Sequence, residues 1–167
     1  MDTLKAIETR RSIRSYRPDP IEPEKMEAIL KAMRLSPCAC NRQDWKFFIV
    51  TDRKAIDLIA ERTRFTPALV KSAPALLLAA GWRDKIMPSG HSWSTVDLTI
   101  AMTVGVLAAT DLGLGTCIIG SHREEDVRKA LDLPDDWQIP LIATLGYADK
   151  EPGPRPLKDF EEVAEIR

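Results

Sequence analysis

Between Asp97 and Asp111 the chain runs through thirteen residues, Leu98 to Thr110, without a single charge. A bilayer core asks for about 20 apolar residues in helical form, so this run is too short to span one. It is also too apolar for the exposed face that an ordinary surface helix carries. Something must cover it on every side. Ala101, Gly105 and Ala109 fall at i, i+4 and i+8, which lines one face with small residues that let another backbone come close. Two arrangements meet the demand: the helix is the centre of the monomer's own core, or it lies in an extensive interface with a second copy. A chain of 167 residues has difficulty burying all faces of one helix alone, and both arrangements stay open on this pattern.

The rest of the chain has to supply the cover. Leu4 and Ile7 suggest a short first helix, which the prolines of "RPDPIEP" end before opening a second. In that second helix Met26, Ile29, Leu30 and Met33 recur at helical spacing. "KFFIV" and "PALLLAAG" are short apolar runs that read as buried strands, separated by an amphipathic helix with Ile56, Ile59 and Ala60 on its apolar face. "TCIIG" and "IPLIATLGY" read as two more strands, and Ser121 with Glu124 has the S-x-x-E spacing of a capping box, which predicts a helix start there. The chain shows no repeats and no low-complexity segment. Residues 1–167 are expected to form one mixed α and β domain.

Charge and cysteine content narrow the partners. With 24 basic and 25 acidic residues the net charge is -1, so no global field steers the chain to nucleic acid or to a membrane surface. Any anion site must be local. "MDTLKAIETRR" lacks the continuous apolar stretch of a secretory signal, which predicts a cytoplasmic protein. Cys38, Cys40 and Cys117 are an odd set that argues against a disulfide framework, and His91 and His122 stand at no recognisable zinc spacing from them. They read as small, half-buried thiols.

Two polar stretches carry chemistry. "ETRRSIRSYRP" places Arg10, Arg11, Arg14 and Arg17 within eight positions, with Ser12 among them. Guanidinium groups beside a hydroxyl can hold a phosphate through charge-assisted hydrogen bonds, and the same cluster can equally be a solvated surface. "SPCACNRQDWKFFIV" gathers small and polar residues just ahead of a buried strand, as a polar turn does and as a ligand-facing loop does. Standard catalytic motifs are missing: "GTCIIGSH" lacks the lysine of a P-loop, "GLG" is too short for a dinucleotide fingerprint, and neither G-x-S-x-G nor H-E-x-x-H occurs. With no evident acid, base or nucleophile, reactivity is expected from a bound cofactor.

At this point four stretches, in order and over nearly the whole chain, resemble the FMN-dependent nitroreductase family: "TRRSIRSYRPDPI", "SPCACNRQDWKFFIV", the apolar helix running into "LGLGTCIIG", and "IATLGYADKEPGPRP". The resemblance implies an α+β fold with a mixed central β-sheet flanked by helices, an intertwined homodimer, and two FMN sites at the subunit interface. Residues 147–167 would be a C-terminal extension packing on the partner subunit. By matching position, Arg10, Arg11, Ser12 and Arg14 would hold the FMN phosphate and ribityl chain, joined by Arg155. Pro37, Cys38 and Ala39 would follow the flavin edge, and Asn41 and Gln43 would be polar contacts reaching the partner's flavin. Ile118, Ile119 and Gly120 would lie along the ring, with a backbone N–H near N5.

NADH or NADPH would then deliver hydride to the flavin and be replaced in the same pocket by a small-molecule acceptor such as a nitroaromatic or quinone. Three departures from the family pattern stand out: Leu157 where a basic residue is frequent, Asp44 where proline is frequent, and Cys38 and Cys40 where small hydroxyl residues or glycine are commoner. The covering insertion is short, with "DKIMPSGHSW" in its place, which implies an open acceptor pocket. Neither Lys71 nor Arg64 sits in a motif that assigns the positive charge near flavin N1 and O2. The same scaffold resembles flavin-dependent dehalogenases and flavin-fragmenting enzymes, and a non-catalytic FMN-binding or storage protein is the other alternative.

Overall fold

The computed structural model describes residues 2–83, 86–150 and 152–167. Helix α1 (Thr3–Thr9) leads through an extended segment to α2 (Pro23–Arg34), then β1 (Trp45–Val50), α3 (Arg53–Glu61), α4 (Pro67–Ser72) and β2 (Ala75–Trp82). The long helix α5 (Trp93–Asp111) follows, then β3 (Gly115–Ile119), α6 (Glu124–Ala130), β4 (Trp137–Gln138), β5 (Ile142–Gly146) and α7 (Phe160–Val163). The sheet order is β1-β2-β5-β3, with the short β4 pairing to the end of β2. The named strands pair antiparallel throughout. The parallel component of the expected mixed sheet is the bridge between Ser12 and Thr116, which attaches the segment after α1 to the start of β3.

Strand alternation divides the core into two layers. On β2, Leu76, Leu78 and Ala80 face α3 and α6, together with Ile56, Ile59 and Val127. Ala75, Leu77 and Ala79 face the other way, toward Ile29 and Met33 of α2 and Leu98, Met102 and Val106 of α5. A strand covered on both faces must be apolar at every position, which is why "ALLLAA" lacks the polar alternation of a half-exposed strand.

The arrangement of α5 decides between the two covers left open by its sequence, and each serves a different face. Its small stripe is turned inward: a Cβ at Gly105 would lie 2.8 Å from Met33 Sδ and 3.1 Å from Leu77 Cδ2, so the close backbone approach is to this chain's own α2 and β2 and not to a second copy. The opposite face is left open, with Val96, Ile100 and Thr103 exposed in a row. Leu4 and Ile7 on α1, which packs against α5, are exposed as well, while Ala6 between them is the buried residue. By length and composition α5 could cross a membrane, yet its inner face is packed into the core.

The predicted cap at Ser121 is not used. Helix α6 starts at Glu124, and Arg123 occupies the capping position without a side-chain bond. The Glu124 carboxylate has stronger partners: it accepts from Arg83 Nη2 at 2.7 Å, Arg128 Nη1 at 3.4 Å and the Ile139 amide at 3.3 Å, so it ties α6 to the connection between β4 and β5. A capping box forms instead at Asp159 and Glu162 of α7. In the short segment expected over the pocket, Asp84 and Lys85 lie outside the described residues. The part that follows is a turn closed by a bridge between Ile86 and Ser92, after which Ser92 Oγ caps α5 by accepting from the Thr95 amide.

Candidate functional site

Two of the three groups of candidate residues lie at opposite ends of α5. The first is a basic corner. After α1 the chain runs extended between β3 and the segment that follows β5: the Ile13 amide donates to Thr116 O at 2.9 Å, the Arg17 amide to Tyr147 O at 2.9 Å, and the Asp149 amide to Ser15 O at 2.9 Å. Ile13 and Tyr16 point into the fold. The Tyr16 hydroxyl donates to Ile13 O at 2.8 Å and lies 2.6 Å from Thr144 Oγ1, and burial pushes the phenol pKa well up. With those side chains anchored inside, Arg10, Arg11, Ser12 and Arg14 line a cleft of about 290 Å³, closed by Pro152, Gly153 and Arg155. A neighbouring cleft of about 450 Å³ shares Arg11 and Pro152 as walls and reaches Thr110 in the last turn of α5 and Gly113 just beyond it.

The electrostatics of this corner are unbalanced. Arg11 Nη1 donates to Glu8 O at 2.7 Å and Arg10 O at 2.9 Å, satisfying carbonyls at the end of α1. Among the described residues no carboxylate forms an ion pair with Arg10, Arg11, Arg14 or Arg155. Burial lowers the pKa of Arg10, and the charges of Arg155 and Arg11 lower it further, so the three guanidiniums crowd one another. The Cys117 thiol is raised by burial and drawn partly back by Arg14 and Arg10, which places both near the sulfur on β3. Like charges gathered without a counter-ion form a place for an anion.

The second group is the loop before β1. The Ala39 amide donates to Asp97 Oδ1 at 3.1 Å, and Asp97 is itself buried in the first turns of α5. Cys40, Asn41 and Gln43 have φ of 52°, 52° and 55°. Three non-glycine residues in the left-handed region within four positions is stored strain, of the kind found where surrounding contacts dictate the backbone. Those contacts include Cys38 Sγ, which accepts from the Gln43 amide at 3.4 Å, and Gly81, where a Cβ would meet Asp44 O at 2.4 Å. The result presents Pro37, Asn41 and Gln43 to solvent, with Cys38 and Ala39 half-buried.

From Asp97 to Thr110 is thirteen residues, or roughly 20 Å along the helix at 1.5 Å per residue. One chain therefore holds these two groups apart. The third predicted group lies at the end of β3 and just after it: Ile118 is 44% exposed and Gly120 is open, whereas the Ile119 side chain is in the core, leaving only its backbone available. The cleft also contains Pro152 and Gly153, which the sequence reading passed over in favour of Arg155; the signal was "EPGPRP", a stretch unable to form helix or strand. Asp97 was missed as well, although it is the one charge buried at the start of an uncharged helix.

Comparison with known proteins places the chain among relatives of one family. The model of a family described as the nitroreductase family matches residues 7–69 and 61–147. A protein of Archaeoglobus fulgidus, whose name pairs the terms NADH dehydrogenase and NAD(P)H nitroreductase, is 33% identical over 97% of this chain and 91% of its own. The FMN reductase [NAD(P)H] of Bacillus subtilis is 29% identical over 97% of this chain and 72% of its own. The structure of an FMN-dependent nitroreductase from Clostridium difficile R20291 superposes with a TM-score of 0.84 at 27% identity, covering 98% of this chain and 99% of that one.

Proposed function

Because the chain belongs to the nitroreductase family, we propose that it is an FMN-dependent, NAD(P)H-driven oxidoreductase that works as a homodimer, each site being completed by the loop of the second copy. The observation that carries this reading is the basic corner: four guanidiniums around one cleft with no ion-paired carboxylate among the described residues fit a phosphate monoester dianion. Arg10, Arg14 and Arg155 would hold the phosphate, with Arg11 dividing its donors between the anion and the end of α1 and with the Ser12 hydroxyl as a further donor. FMN, when bound, supplies two-electron hydride chemistry that no side chain of this protein can supply.

The remaining work falls to the chain. Ile118 and the backbone of Gly120 would support one side of the ring. Pro37, Cys38 and Ala39 of the second copy would close the edge and exclude water, while Asn41 and Gln43 would offer hydrogen bonds to its polar rim. The strained loop fits such a role, since a backbone held ready before ligand arrives loses less entropy on binding. Val96 and Ile100 on α5 and Leu4 and Ile7 on α1 form the open apolar surface on which a second copy would sit. The tail would extend that contact, since Leu157, Phe160, Val163 and Ile166 recur every third residue and are all exposed in one chain. The acceptor would be a small nitroaromatic or quinone reduced in the cytoplasm, with neither nucleic acid nor membrane as partner.

The test is reconstitution. Protein incubated with FMN and then dialysed is expected to keep a flavin absorption spectrum and to oxidise NADH or NADPH when a quinone is added. A protein that retains flavin but oxidises neither nucleotide is a binding or storage protein, and one that retains no flavin overturns the reading altogether.

A further inference from the structure

One exposed feature beside the proposed flavin site is used neither by the core nor by the basic corner. The connection between α3 and α4 is fastened to the end of β3: the Arg64 amide donates to Ser121 O at 2.8 Å, directly after Gly120. Thr63 and Val70 on either side are buried, yet Phe65 is 74% exposed. The Arg64 guanidinium carbon stands 5.1 Å from the centre of the Phe65 ring, so cation and ring are oriented by one another. Among the described residues no carboxylate forms an ion pair with Arg64, and Arg62 adds a second exposed cation to the same connection. A large apolar ring held in water next to an unpaired planar cation is a surface for a flat molecule carrying negative charge.

Resting on the function proposed above, we propose that Arg64 and Phe65 form a selecting lip at the acceptor pocket, favouring planar aromatic acceptors that bear an anionic substituent. Phe65 stacks on the arene, and Arg64 meets a carboxylate or phenolate at its edge. Selectivity then comes from charge and not from enclosure. Because the lip sits at solvent, its contribution is modest and sensitive to salt.

The probes are 4-nitrobenzoate and 4-nitrobenzamide, which match in size and differ in charge. Each is measured with the FMN-loaded protein in two ways: KM in steady-state reduction, and Kd by equilibrium dialysis without reductant. Arg64→Gln is expected to raise both constants for 4-nitrobenzoate by about fivefold, the scale of an exposed ion pair, while those for 4-nitrobenzamide hold. Arg64→Lys should keep the preference, added salt should erase it, and Phe65→Ala should weaken both probes together. Equal shifts for the two probes in Arg64→Gln, no shift in either, or an effect confined to the KM of NADH or NADPH would each overturn the proposal. If the wild-type protein reduces neither probe, oxidation of NADH or NADPH with a quinone decides the oxidoreductase reading separately, and the dialysis constants decide whether the lip selects charge.

Discussion

The two ends of α5 build a binding surface by different means. At the C-terminal end an unstrained, extended segment is laced to β3 and to the segment that follows β5, and it offers charge: Arg10, Arg14 and Arg155 around one cleft. At the N-terminal end the loop offers almost no free charge, since Arg42 is paired to Asp44 at 3.5 Å, and its shape comes from three left-handed residues held by a buried carboxylate. The first surface suits a part of a ligand that carries an anion, and the second suits a flat, uncharged edge. The difference teaches how, on the proposed reading, one chain can specify a site that two copies complete. In the proposed dimer each end would serve one half of the ligand, and the exposed face of α5 between them would bring the two chains together.

The comparison breaks most visibly if the open face of α5 is spoiled. Ile100→Glu is expected to separate the dimer and to lose FMN in the same step, because an unpaired charge buried in an interface costs about 3–5 kcal/mol. Sedimentation and flavin retention should change together, and a monomeric variant that holds FMN normally would confine the site to one chain. Next in size is the basic corner. Arg10→Ala or Arg14→Ala should weaken FMN by about 1.5–3 kcal/mol, the usual worth of a hydrogen bond to a charged group, and leave riboflavin nearly unaffected.

The loop should behave in the opposite way. Asp97→Ala removes the carboxylate that holds the Ala39 amide, at a cost of about 1–3 kcal/mol when a buried partner is left unsatisfied, and it should weaken FMN and riboflavin alike. If Asp97→Ala discriminated between the two flavins as Arg10→Ala does, the division of labour between the two ends would be lost. The smallest effect concerns the anchor beneath the corner. The Tyr16 phenol is raised by burial, so the folded state holds its proton more tightly than the unfolded chain does. The associated stability is full at neutral pH and declines once the pH passes the ordinary phenol range near 10. Thermal unfolding followed into the alkaline range should show that decline in the wild type and a shallower one in Tyr16→Phe.

How much of this could be read from the residues follows from what each feature depends on. The strands were readable because both faces of β2 are covered, which leaves an uninterrupted apolar run that no other element explains. The basic corner was readable as a cluster, but the diversion of Arg11 to the end of α1 depends on where that helix stops, and spacing does not give that. The inward turn of the Ala101, Gly105 and Ala109 stripe was not readable either, since a small face admits any close neighbour and only the position of Met33 says which one. The left-handed Cys40, Asn41 and Gln43 carry no glycine signal, because tertiary contacts impose their conformation. Short elements such as β4 and α4 offer too few residues for any periodicity to show.

The central claim is that each site takes its basic corner from one copy and its loop from the other, and complementation tests it most directly. Arg10→Ala/Arg14→Ala damages the first half, and Asp97→Ala with Asn41→Ala damages the second. Each variant alone should bind FMN poorly. Unfolded together and refolded as a mixture, they should pair at random, so that half the dimers are mixed and each mixed dimer has one undamaged site, restoring about a quarter of the wild-type FMN sites in a two-fold symmetric assembly. A mixture that binds no more FMN than the average of its two components would contradict the account, because it would mean that both halves of every site come from the same chain.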